Sequence, residues 1–132
     1  MIFRKIFFYL GSFFLLMGCQ NNPISYDYLM QHPEELQAYY LNCSIQQSAD
    51  CQTITRAMDA FNLLQNQQVL QPIEFGQRIM HTQQQLVSMQ HAYRNAKPEE
   101  DHNKLVLMKE AYEDQVTQLH IYYAVIARIM FD

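Results

Sequence analysis

The chain has 132 residues, with 9 basic and 13 acidic side chains and a formal net charge of −4. That balance argues against a nucleic-acid partner, because nucleic acid selects basic surfaces. Three glycines and four prolines are too few turn residues for a many-stranded β fold, so the composition favours helices.

The first element in chain order is Arg4-Lys5, an apolar run from Ile6 to Met17, and then Leu16-Met17-Gly18-Cys19. Two basic residues, an apolar run of about a dozen and a small residue before a cut describe a secretory signal peptide over residues 1–18. A spanning helix needs roughly 20 apolar residues, and a retained N-terminal anchor is the competing reading. Leu at −3, Gly at −1 and Cys at +1 match the bacterial lipobox, so Cys19 is expected to carry the lipid, palmitate among its acyl groups, as the mature N-terminus. This places the protein in a bacterial cell envelope, lipid-anchored to the membrane and facing the periplasm. Gln20 stands where enteric inner-membrane lipoproteins carry aspartate, which favours the outer membrane. Losing Arg4 and Lys5 with the leader takes the formal charge from −4 to −6.

Residues 19–24 read as a lipidated tether, and residues 25–132 as one helical domain. Tyr26, Leu29 and Met30 share a helical face, after which His32-Pro33-Glu34-Glu35 restarts the helix: proline suits the first position, and acids there oppose the dipole. This second short helix is predicted to run to about Asn42. Asp50 or Ser48 is expected to cap a helix beginning near Cys51, on which Ile54, Met58, Phe61 and Leu64 form one stripe up to about Leu70. Pro72 opens the next helix, with Phe75, Ile79, Thr82, Leu86, Met89 and Tyr93 as its seam to Asn95. After Lys97-Pro98-Glu99-Glu100-Asp101, the last helix carries Leu105, Met108, Tyr112, Leu119, Tyr122, Ile126 and Ile129, interrupted at Gln115. Two consecutive helices with heptad-like seams should fold back on each other. The expected fold is all-α, a small helical domain with a C-terminal antiparallel helical hairpin, and the short helices around the cysteines cover one end.

Cys43 and Cys51 are the thiols left once Cys19 is acylated, and an oxidising compartment makes a disulfide their natural fate. Such a staple is worth about 2 to 3 kcal/mol in the chain-entropy model. A metal site with His32 as third ligand lacks an evident fourth, and a redox role lacks the CxxC spacing. The histidines at 32, 81, 91, 102 and 120 include no pair four apart, so they read as surface or cap positions. Glu110, Glu113 and Asp114, with Lys109 four before Glu113, read as a solvated face. No nucleophile elbow, phosphate loop or dinucleotide fingerprint occurs, and the expectation is a protein without catalytic residues, metal or cofactor. Residues 121 to 131 are apolar at every position except Arg128, and such a helix must be covered. Burial within the domain, an envelope partner or self-association, and membrane contact are the alternatives. Tyr122, Tyr123 and Met130 are the candidate interaction surface, with Tyr123 expected at the surface and Ile126 in the core.

The order of residues from Cys19 through Tyr26-Asp27-Tyr28-Leu29, His32-Pro33-Glu34-Glu35, Cys43 and Cys51 resembles the EexN family of small lipoproteins. In that family a Tyr-Leu-x-x-His/Asn-Pro-Glu-Glu segment precedes two cysteines. The likeness covers roughly residues 19 to 52 and leaves residues 53–132 as an additional helical half. It implies an association with conjugative plasmids and type IV secretion, where entry-exclusion lipoproteins in the recipient envelope block redundant DNA transfer. A pilotin-like lipoprotein that carries a secretin subunit to the outer membrane is the alternative expectation.

Overall fold

The punctuation of the sequence sets the element boundaries. In a computed structural model that describes residues 23–46, 48–97 and 101–131, five helices and no strands form among the described residues. They are α1 (Tyr26–Gln31), α2 (Pro33–Cys43), α3 (Cys51–Leu70), α4 (Pro72–Asn95) and α5 (His102–Phe131). Pro33 and Pro72 each occupy the first turn of a helix, where the missing N–H costs nothing and the fixed φ is already helical. The residue before each proline is driven out of the α region. Accordingly His32 has φ −125° and ψ 71°, and Gln71 has φ −136° and ψ 58°. Each chain break is thus a single residue wide, and α1/α2 and α3/α4 meet at sharp corners. The segment expected to be a signal peptide, and Cys19, the expected acylation site, lie outside the described residues.

α4 and α5 pair antiparallel, as their contacts require: Phe75 meets Tyr122 near one end, while Tyr93 and Arg94 line a groove with Lys109 and Tyr112 nearer the other. At 1.5 Å per residue the two helices are about 36 and 45 Å long. The stapled pair α2 and α3 also packs against itself, and α5 touches all four other helices.

The buried core consists of Leu29, Met30 and Leu36 from α1 and α2, Ile54, Ala57 and Phe61 from α3, Phe75 and Ile79 from α4, and Ile121 and Val125 from α5. The short helices at one end supply three core side chains, Leu29, Met30 and Leu36. One expectation is overturned, because the buried residues of α5 are not members of the predicted seam. Tyr122, Ile126 and Ile129 are only partly buried, whereas Ile121 and Val125 are buried. The physical reason is that α5 is wedged between α4 on one side and α1 and α3 on the other. Two faces about a quarter-turn apart are therefore covered, and the one facing the body is the drier.

Thr82, which interrupts the α4 seam, is buried and donates its hydroxyl to the Arg78 carbonyl at 3.0 Å, so the polar atom is satisfied inside its own helix. Beyond Thr82 in α4, and before Ile121 in α5, no described residue is buried. The outer half of the hairpin is a two-helix arm that leaves the body.

Candidate interaction surface

The segment Tyr26 to Leu36 folds into the corner between α1 and α2. Its apolar members, Leu29 and Leu36, point into the core, and its polar members lie outside. Tyr28 donates its hydroxyl to both carboxylate oxygens of Glu35, at 2.9 and 3.0 Å. Its ring stacks on His32 with centroids 4.0 Å apart and planes 21° from parallel. The Nδ1 of His32 lies 2.8 Å from the Tyr28 carbonyl oxygen, so the ring donates there and satisfies a carbonyl that the end of α1 leaves open. The hydrogen bond to Glu35, followed by partial desolvation and the charge of that carboxylate, raises the Tyr28 hydroxyl above its ordinary value. Sequence spacing could not reveal this link: Tyr28 and Glu35 are seven apart across a proline break, where helical neighbour rules do not apply.

The other end of α2 is held by the Cys43–Cys51 disulfide, with Cα atoms 5.6 Å apart, joining the last residue of α2 to the first of α3. The cap expected from Asp50 or Ser48 is not made. Asp50 precedes the helix without a side-chain cap bond, and the Ser48 N–H and hydroxyl oxygen instead lie 3.3 and 3.2 Å from the Cys51 sulfur. Asp50 has φ −81° and ψ −12°, already in the helical region and not in the extended one from which an N-cap side chain reaches back to the first turn. Asp101 does cap α5, its Oδ1 accepting the Asn103 N–H at 3.1 Å.

At the C-terminal end, Tyr123 and Met130, seven residues apart, share one exposed arc, and Tyr122 lies off it. Tyr123 is 44 % exposed and Met130 74 % exposed. Tyr123 also accepts a bond from Gln83 Nε2 at 2.7 Å, which ties it to the inner end of the arm. Tyr122 is half-buried and meets Phe75 edge-on at 5.3 Å, so it belongs to the α4–α5 contact. Ile126 is partly buried and packs on the core.

The remaining surface holds little convergent chemistry. A groove of about 430 Å³ on the arm is lined by Gln90, Tyr93, Arg94, Lys109, Tyr112 and Glu113. In it the Lys109 ammonium sits 3.6 Å from Glu113 as an exposed i,i+4 pair. Among the described residues no three His, Cys, Asp or Glu side chains are placed to hold a metal ion, and no helix is long and apolar enough to cross a membrane.

Comparison with known protein families, with characterised proteins and with solved structures finds no match to this chain. What the described residues offer chemically is therefore read from the geometry: a rigid aromatic and acidic corner, a staple, and exposed apolar side chains on long helices.

Proposed function

We propose that the protein is a non-enzymatic lipoprotein of a bacterial cell envelope that acts by binding another envelope protein, in an entry-exclusion or type IV secretion-associated role. The observation that carries this reading is the α1–α2 corner. The same stretch that resembles the EexN family divides into Leu29 and Leu36, which are buried, and Tyr28, His32 and Glu35, which are exposed and locked to one another. Recognition surfaces gain affinity when their side chains are held in the bound geometry beforehand, and Tyr is favoured in them. A proline corner at one end of α2 and a disulfide at the other hold this surface in place, and the tether leading to Cys19 enters directly before α1.

The test is conjugation into recipient cells that express the chain. Wild-type protein is expected to lower plasmid acceptance, and Cys19→Ser and Glu35→Arg to restore it. Equal acceptance by cells with and without the wild-type chain would remove the exclusion role. Mislocalised secretin subunits in cells lacking the chain would assign the pilotin role instead.

A further inference from the structure

α4 carries its seam on one face and a second, unexplained stripe on the other. Phe75, Ile79 and Thr82 are buried against the body. Half a turn away, at 3.6 residues per turn, lie Ile73, Gln77, Met80, Gln84, Val87 and His91, all exposed. Ile73 is 76 %, Met80 57 % and Val87 67 % exposed. The outward face of a surface helix ordinarily carries its charges. Here Glu74 and Arg78 sit on one flank, Arg78 turned toward α3, where it donates to Gln67 Oε1 at 2.7 Å, and Arg94 follows Val87 by seven residues at the far end of the helix, where it lines the groove with Lys109 and Tyr112. From Ile73 to Val87 the outward face is uncharged and places an apolar side chain every seventh residue, with glutamines between them. That is the spacing by which one helix packs along another.

We propose that this face of α4 pairs with the same face of a second copy of the chain, the two helices crossing antiparallel about a two-fold axis at Met80. The argument for a second copy is self-complementarity. In a two-fold interface the same patch meets itself, so a charged face would repel its twin, whereas an uncharged one does not. A glutamine amide both donates and accepts, and about this axis Gln84 of one copy comes level with residue 76 of the other, beside Gln77, so the two glutamines can bond across the pair. The pattern is close to a palindrome about Met80: Ile73 lies seven residues before it and Val87 seven after. The axis therefore sets Met80 on Met80 and Ile73 on Val87 of the other copy, along roughly 21 Å of helix. An antiparallel crossing also opposes the two helix dipoles. Between Ile73 and Val87 the stripe contains no lysine or arginine, which a helix lying on an anionic lipid surface would use. This contact is separate from the α1–α2 corner, and neither depends on the other.

Cysteine pairing in the full-length protein in its own membranes decides it. Met80→Cys is expected to form a covalent dimer, and Ile73→Cys co-expressed with Val87→Cys is expected to form one where neither does alone. Met80→Glu should yield a monomer by light scattering of the detergent-extracted protein, with an unchanged circular dichroism spectrum. Absence of the Met80→Cys dimer would overturn the proposal. So would a dimer from Ile73→Cys alone, which requires a parallel pair, or crosslinks of Met80→Cys solely to a different protein. Loss of exclusion activity in the Glu35→Arg chain with its Met80→Cys crosslink intact would keep the two proposals distinguishable.

Discussion

Tyr28 is the residue at which local chemistry and architecture meet most directly. Its hydroxyl is held by Glu35 and its ring by His32, so one side chain from α1, one from α2 and one from the break between them fix one corner angle. The phenol is raised above its ordinary value because ionising it would turn a donor into an anion beside the Glu35 carboxylate. A tyrosine whose folded pKa lies above the unfolded value of about 10 binds its proton more tightly when folded. Its contribution to stability is fully present below the unfolded value and is lost as pH rises through the folded one. Denaturation midpoints measured across the alkaline range are therefore expected to fall more steeply for the wild type than for Tyr28→Phe. Parallel curves would mean that the Glu35 bond contributes nothing to the folded state.

α2 and α5 each do something that their own patterns do not announce. α2 is a short helix with exposed tyrosines on its outer side, yet Leu36 is fully buried and belongs to the same core as Phe61 and Val125. Truncating it to alanine removes apolar contacts and leaves a cavity that the stapled helix cannot easily collapse into. Leu36→Ala is expected to cost about 2 to 5 kcal/mol in chemical denaturation. Tyr123→Asp, on the exposed arc of α5, removes the bond from Gln83 and is expected to cost about 1 kcal/mol without unfolding the domain. A mild Leu36 variant would return α1 and α2 to the role of a loose cover. An unfolded Tyr123 variant would make the end of α5 wholly internal.

Across the whole molecule, packing is concentrated at one end. All the core residues lie in the body, and the arm formed by the second half of α4 and the first half of α5 has partly buried seam residues such as Leu86, Met89, Leu105 and Met108 but none that is buried. Local stability follows buried apolar contact, so the backbone amides of residues 83–95 and 102–114 are expected to exchange with solvent well before those of residues 54–61 and 121–125. Uniform protection along α4 would show that the arm is covered in solution. A second copy on the stripe through Met80 and Val87 would produce that pattern, which makes exchange measured over a range of protein concentrations informative about both.

The sequence alone determined the helices and their limits, since Pro33, Pro72 and the apolar spacing of α3 and α4 act locally, through φ and through which residues share a face. The staple was also legible, because Cys43 and Cys51 flank one loop between two helices. Only the tertiary structure decided which faces are dry. α5 is apolar nearly all round after His120, so periodicity could not choose between Ile126 and Val125; the choice came from α1 and α3 docking beside it. The Tyr28–Glu35 bond is of the same kind. It depends on the angle at which α1 and α2 meet, and that angle is set by the packing of side chains remote in sequence.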